Sequence, residues 1–146
     1  MKGTYIMLLR ALKDIDLKVG CLGSLHIPQG YYLYVGSAMG PWKTAYESRV
    51  KRHYQKKKKR FWHIDYLTTH RDIAICFTEL VIENRKIECE ITVQLRKVFN
   101  GQILFKNFGS TDCRCGGHLI YLSGTSNKEI LENIEMIRSH APQDLS

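Results

Sequence analysis

Residue types that can handle a phosphate group occur at separated points of the chain. Gly3-Thr4-Tyr5 and Tyr34-Val35-Gly36 each combine a tyrosine with a glycine, Arg49 and His53 are four residues apart, and Glu88 follows in a helical pattern. A guanidinium can hold a phosphate through two hydrogen bonds. One carboxylate, together with phosphate and water, is a normal way to hold Mg²⁺. The chain therefore carries the residue types that phosphodiester hydrolysis requires.

Each of these residues, taken alone, also has an ordinary structural explanation. Tyr5 and Tyr34 could be half-buried strand tyrosines, and Arg49 could be a solvated helix residue. Glu88 could be a first-turn acid that the helix dipole favours. A tyrosine with a pKa near ~10 is also a poor base at neutral pH unless cations surround it. The argument for a site therefore depends on the set and its order.

The order of the set resembles the active-site pattern of the GIY-YIG nuclease superfamily. A more specific resemblance is to its prokaryotic branch of unknown function that is sometimes fused to endonuclease III, and it extends from Gly3 to about Leu122. The segments that carry it are Val19-Gly20-Cys21-Leu22-Gly23, Tyr34-Val35-Gly36-Ser37-Ala38, Trp62-His63-Ile64-Asp65-Tyr66-Leu67, Glu88-Cys89 and Phe108-Gly109-Ser110-Thr111-Asp112-Cys113.

The resemblance implies a metal-dependent endonuclease that hydrolyses phosphodiester bonds in nucleic acid, DNA rather than RNA, in a repair role. It implies that Tyr5 and Tyr34 position or deprotonate the attacking water. It also implies that Arg49 holds the scissile phosphate and that Glu88 binds Mg²⁺ or Mn²⁺. The alternatives are a non-catalytic nucleic-acid-binding module on the same scaffold and a zinc-stabilised interaction domain.

Further positions of the family pattern fall on histidines and on other polar residues. His53 and His63 match two of them, and either could orient a tyrosine or donate a hydrogen bond to phosphate. The family usually adds an asparagine after the glutamate. Its candidates here are Asn100 and Asn107, with Ser110 or Asp112 as replacements.

The net charge of +8 is concentrated in one segment, residues 51–60, which we call the basic strip. It holds five Lys and two Arg without an acid, and the rest of the chain carries only +1. Its cations are Lys51, Arg52, Lys56, Lys57, Lys58, Lys59 and Arg60. Such a local charge predicts a polyanion partner, here nucleic acid. The alternative is a solvated loop that keeps the protein soluble.

Two further groups of residues allow a structural or a functional interpretation. Phe61 and Trp62 could stack on unpaired bases, although we expect them to be core anchors of a helix. Cys113, Cys115 and His118 offer three zinc ligands within six residues. Free thiols that pack in a loop are the favoured alternative, because the Cys-x-Cys spacing is tight for zinc.

Composition indicates a single globular domain over residues 1–146 with an α+β fold. No apolar run approaches membrane-spanning length, and five scattered cysteines indicate a reducing compartment without disulfides. We therefore expect a cytoplasmic protein without a membrane partner. Cys21, Cys76 and Cys89 lie in apolar contexts and are expected to be core residues.

The order of elements follows from apolar periodicity and capping patterns. Strands are predicted at residues 4–10, 17–27 and 31–35, as an antiparallel set, and again at 72–82 and 119–122. Helices are predicted at residues 45–55 and 61–70, after a cap at Asn84, and after a cap at Ser126. The helix after Asn84 should bury Ile87, Ile91, Leu95 and Val98.

Overall fold

The computed structural model describes residues 3–38, 46–82, 87–109, 116–123, 128–130 and 132–133. Its centre is an antiparallel sheet formed by β1 Gly3–Ala11, β4 Gly30–Ser37, β5 Ile73–Ile82 and β6 Leu119–Leu122, in the order β5-β1-β4-β6. The helices are α1 Tyr46–Tyr54, α2 His63–Thr68 and α3 Glu88–Phe99. The predicted α+β class, with a small antiparallel sheet flanked by helices, is confirmed.

The central strand β1 is buried on both faces. Tyr5, Met7 and Leu9 belong to one apolar cluster, and Ile6 and Leu8 belong to the other. Side chains alternate across a strand, so a strand covered on both faces has apolar residues at successive positions. This explains the unbroken apolar run of the N-terminal segment.

Helix α2 packs in the first cluster, and α3 packs in the second. Ile87, Ile91 and Leu95 are buried as predicted, but the prediction for Val98 is wrong because it is 46% exposed. Phe99 is buried instead. A spacing of four continues the same helix face from Leu95 to Phe99, whereas residue 98 lies beside that face.

The segment predicted as one strand over residues 17–27 is a separate hairpin. It consists of β2 Ile15–Lys18, a 3-10 turn Gly20–Leu22 and β3 Ser24–Ile27, which form a two-stranded sheet of their own. Gly20 and Gly23 have φ values of 46° and 80°, a conformation that interrupts a strand and suits glycine. The prediction of three successive antiparallel strands is therefore wrong for the middle strand, because residues of that segment form a separate sheet.

The helix and strand ends otherwise lie within a few residues of their predicted positions. Asn84 and Ser126, which we predicted as caps, lie outside the described residues. Cys21 and Cys76 are exposed and free, and Cys89 is disulfide-bonded, so their prediction as reduced core residues is wrong. In the described part of the chain, no helix has the length and apolarity needed to cross a bilayer.

Candidate active site

The two tyrosine–glycine motifs lie side by side because β1 and β4 are adjacent antiparallel strands. Tyr5 is opposite Gly36, and Met7 is opposite Tyr34. A Cβ atom on Gly36 would lie 2.4 Å from the Tyr5 ring, so only glycine leaves room for the tyrosine here. The Tyr5 and Tyr34 ring centroids are 6.3 Å apart. The motifs thus build one aromatic pair at the end of the sheet.

Helix α1 brings Arg49 and His53 to this pair. The Tyr5 hydroxyl and His53 Nε2 are joined by a hydrogen bond of 2.6 Å, and Arg49 donates a side-chain hydrogen bond to Tyr5. His53 is fully buried, and its Nδ1 has no hydrogen-bond partner among the residues that the structure describes. The predicted spacing of four thus places both side chains against Tyr5.

Burial determines the protonation states of Tyr5, Tyr34 and His53. Burial raises the pKa of Tyr5 well above its ordinary value, and the nearby Tyr34 adds to the shift. Burial also raises the pKa of Tyr34, and Arg49 only partly opposes it. Burial, together with the charge of Lys58, lowers the pKa of His53 to about 4. At neutral pH both phenols are therefore protonated and His53 is neutral.

An open cleft of about 410 Å³ adjoins this group. Four of the residues predicted for the nuclease site line it, namely Tyr34, Arg49, His63 and Glu88. Tyr5 and His53 do not line it and lie behind Tyr34, within ring-contact distance. The other lining residues are Val35, Gly36, Ser37, Phe61, Trp62, Gly109 and His118.

His63, the first residue of α2, has its ring orientation set by a backbone amide. The Gly109 N–H donates to His63 Nδ1 at 2.9 Å, so in the neutral ring the proton is on Nε2. That nitrogen is 4.0 Å from the Cys21 Sγ. Burial lowers the pKa of His63. The ring is thus neutral at pH 7 and acts as a hydrogen-bond donor through Nε2.

In the loop after α3, a glycine lines the cleft and the two candidate asparagines do not. Gly109 has a φ of 79°, and a Cβ atom there would lie 3.1 Å from the Tyr34 ring. Asn100 and Asn107 do not line the cleft; both have positive φ values, and Asn100 ends α3. Neither candidate for the family asparagine therefore reaches the site, and Ser110 and Asp112 lie outside the described residues.

His118, one of the three possible zinc ligands, lies next to Cys89 in the structure. It is buried in the cleft wall, with Nε2 3.8 Å from the Cys89 Sγ. Burial lowers the pKa of His118, and the Glu88 carboxylate opposes that shift. Cys113 and Cys115 lie outside the described residues. The sequence thus singled out His118, but not its proximity to Glu88.

The cations of the basic strip fall into two groups. Lys58 is nearly buried and donates to the carbonyl oxygens of Arg52 and His53, and it lies 3.8 Å from Asp65. Burial lowers the pKa of Lys58 to about 8. Arg52 donates to Asp65, and Lys56 donates to the carbonyl oxygens of residues 70 and 73. These three cations are tied to the fold.

The second group of cations is exposed. Lys51, Lys57 and Lys59 have exposed side chains without a hydrogen bond or ion pair to the described residues. Arg60 is also exposed and lies 5.2 Å from the Tyr66 ring centroid. This second group can meet a polyanion without giving up a hydrogen bond or ion pair to the described residues.

Phe61 and Trp62 differ in burial. Trp62 is half-buried and packs against the core, as predicted. Phe61 is 73% exposed, so its prediction as a core anchor is wrong. The buried Asp65 carboxylate accepts hydrogen bonds from the backbone N–H groups of both residues. These hydrogen bonds fix the backbone just before α2, which begins at His63. This leaves the Phe61 ring outside the core.

Fold and cleft together define a class of small α+β protein, in which an antiparallel sheet ends at an open polar cleft lined by residues of β4, α1, α2 and α3. The chain belongs to the family described as a domain of unknown function, DUF123, which matches residues 4–139. Comparisons with curated proteins and with solved structures found no match.

Proposed function

We propose that this protein is a metal-dependent endonuclease related to the GIY-YIG superfamily, acting on phosphodiester bonds in nucleic acid, DNA rather than RNA. The observation that carries the proposal is that Tyr34 of β4, Arg49 of α1 and Glu88 of α3 line the same cleft. These residues are distant in the chain. A phenol, a guanidinium and a carboxylate at one surface can orient water, phosphate and a cation together.

The role proposed for Arg49 is to hold the scissile phosphate. Its guanidinium carbon lies 4.6 Å from the Trp62 ring centroid, and it donates a hydrogen bond to Tyr5. These contacts orient the guanidinium before a substrate arrives, which lowers the entropic cost of the phosphate contact. A planar donor held in this way suits a tetrahedral phosphate.

The role proposed for Tyr34 is to orient the attacking water as a protonated phenol. Burial raises the pKa of Tyr34, so its phenol stays protonated at neutral pH. Of the two roles expected for the tyrosines, we therefore propose that Tyr34 positions the water and does not deprotonate it. Tyr5 and His53 would keep Tyr34 in place from behind, since their rings lie 6.3 Å and 6.4 Å from the Tyr34 ring.

Glu88 is the proposed ligand for Mg²⁺ or Mn²⁺. It is half-exposed at the start of α3 and lines the cleft. Over the described ranges, no group of three or more His, Cys, Asp or Glu residues could enclose a metal. A single carboxylate fits a site that substrate phosphate and water complete, which suits Mg²⁺. A cation held there would neutralise phosphate charge and lower the pKa of a bound water.

The test compares cleavage with binding in variants of one preparation. Wild-type protein with Mg²⁺ or Mn²⁺ is expected to nick at least one member of a panel of plasmid, flapped, nicked, branched and single-stranded substrates. Glu88→Gln should lower the nicking rate at least about 100-fold, because a loss of several kcal/mol in the transition state is expected. Its gel-shift affinity in EDTA should not fall.

Glu90→Gln is the matched control, because Glu90 is an exposed acid on the same first turn of α3 and does not line the cleft. It should nick at the wild-type rate. Arg49→Ala should lose both cleavage and part of the affinity, since the proposed phosphate contact exists in the ground state. Equal nicking by wild type and Glu88→Gln would refute the site. Binding without nicking of any substrate would favour the non-catalytic module.

A further inference from the structure

Phe61 is a large apolar side chain that the fold leaves mostly exposed. Its ring is 73% exposed and forms part of the cleft wall, together with Arg49 and Trp62. Full burial of a phenylalanine side chain stabilises a fold by roughly 1.5–3 kcal/mol, and Phe61 contributes little of this. The ring is therefore better explained by a ligand than by the fold.

The position of Phe61 is set by the buried carboxylate of Asp65. That carboxylate accepts the Phe61 N–H at 2.9 Å and the Trp62 N–H at 3.0 Å. It also accepts from Arg52 at 2.7 Å. Burial raises the pKa of Asp65, but the two amides and Arg52 outweigh it, and the net shift is downward. The Asp65 carboxylate thus stays ionised at neutral pH, and its hydrogen bonds hold the backbone from which the Phe61 ring projects.

Cationic residues lie close to Phe61 in space or in the chain. The Arg52 guanidinium carbon lies 5.6 Å from the Phe61 ring centroid and 5.0 Å from that of Trp62. Lys59 and Arg60, the residues that precede Phe61 in the chain, have exposed side chains. An aromatic face next to a segment with exposed cations is the combination that binds the base and the backbone of a single-stranded nucleic acid. An apolar peptide would gain nothing from the cations.

We propose that Phe61 is a stacking platform for an unpaired nucleobase close to the phosphate in the cleft. The preferred substrate is then a single strand, or a duplex with an unpaired nucleotide at the cleavage position, such as a flap or a gap. In a continuous duplex both faces of each base are covered by its neighbours, so the ring could not reach one. This inference rests on the proposed function and specifies the substrate class of the same cleft.

The experiment measures binding in EDTA, where cleavage does not interfere. Fluorescence anisotropy compares short single-stranded DNA, single-stranded RNA and duplex DNA. Phe61→Ala should weaken single-strand binding about 5- to 150-fold, the range for loss of one stacked base, and should change duplex binding less than about 2-fold. Phe61→Trp should retain single-strand binding. Leu12→Ala, which truncates another exposed apolar side chain outside the cleft, should change neither.

A spectroscopic readout reports stacking directly. An oligonucleotide with 2-aminopurine should lose fluorescence when bound to wild type, and less when bound to Phe61→Ala. Loss of affinity for either DNA or RNA supports the platform and identifies the sugar that the site accepts. If Phe61→Ala binds single strands as wild type does, or weakens duplex equally, the platform is refuted, while Glu88-dependent nicking still supports the nuclease. If wild type binds no nucleic acid, both proposals fail.

Discussion

At the scale of single residues, burial determines what each side chain of the site can do. Tyr5 and His53 are 1% and 0% exposed and hydrogen-bond each other behind the cleft. Tyr34 and Arg49 line the cleft itself. The two members of the tyrosine pair are therefore not equivalent. Tyr34 can meet a substrate, whereas Tyr5 links the sheet to α1 through Arg49 and His53.

His53 predicts a loss of stability in mild acid. Its pKa is lowered from 6.5 to about 4, by burial first and then by Lys58, Arg49 and Arg52, with Asp65 opposing. The unfolded chain therefore binds a proton between pH 6.5 and 4 that the folded protein does not. Stability should be fully present above pH 6.5 and fall by about 3 kcal/mol as the pH approaches 4.

Urea unfolding at pH 7.0, 5.5 and 4.5 measures this dependence. His53→Gln keeps a hydrogen-bonding group for Tyr5 but does not titrate, so its free energy of unfolding should fall less over the same interval. His26→Gln is the control, because His26 is exposed. Equal losses in wild type and His53→Gln would mean that other groups cause the acid sensitivity.

At the scale of elements, the segment around the connection from α1 to α2 carries two kinds of cation. Some make hydrogen bonds within the protein, and others are exposed. Lys58, Arg52 and Lys56 make hydrogen bonds within the protein, whereas Lys57 and Lys59 are exposed. A single replacement of all four lysines at positions 56–59 would therefore mix lost binding with lost stability. The two functions can be separated by choosing the positions.

Lys57→Ala with Lys59→Ala should weaken nucleic-acid binding without lowering the melting temperature. Each duplex phosphate contact contributes about 0.9 to the slope of log K against log salt. Removing two such contacts should lower the slope by up to about 1.8. Titrations between 50 and 200 mM salt, a range suited to such contacts, measure it.

Two further variants serve as controls for this prediction. Lys97→Ala with Lys128→Ala removes the same charge from exposed positions in α3 and the C-terminal segment, and its slope should stay at the wild-type value. Lys58→Ala should instead lower stability, because two carbonyl oxygens lose a hydrogen-bond donor and Asp65 loses an ion-pair partner. An unchanged slope in the Lys57 and Lys59 variant would indicate that the strip is only a solvated segment.

At the scale of the whole molecule, the cleft depends on both layers that cover the sheet. Arg49 and His63 come from α1 and α2, whereas Glu88 comes from α3, which packs in the other apolar cluster. The sheet holds the two sides together through β1 and β4, whose buried residues belong to both clusters. A substrate in the cleft would thus bridge the layers.

This arrangement predicts weak metal binding without nucleic acid. With one carboxylate from the protein, Mg²⁺ should have a dissociation constant of about 1 mM or higher. One millimolar Mg²⁺ should then stabilise the fold by no more than about 0.4 kcal/mol and raise the melting temperature by about 1 °C. A non-cleavable phosphorothioate oligonucleotide should increase the metal effect, and Glu88→Gln should remove that increase. A rise of about 5 °C with metal alone would imply further protein ligands.

Local patterns were enough to predict the elements of the main sheet and the helices, but not the hairpin of β2 and β3. Alternation and apolar runs placed the strands, and spacing by four placed α1 and most of the buried face of α3. These signals depend on neighbours within one or two turns, so they survive without knowledge of the fold. The glycines at positions 20 and 23 were available to predict the break in the hairpin, because a positive φ is a local property.

By itself, the sequence predicted the α+β class, the strands of the main sheet, the helices and a set of residues that could act in phosphate chemistry. Only the tertiary structure decided that Tyr5 lies behind the cleft, that Lys58 is buried against Asp65, that His118 adjoins Glu88 and that Phe61 is exposed. The physical reason is that burial and charge depend on contacts between residues that are distant in the chain. Such contacts leave no periodic signal in the sequence.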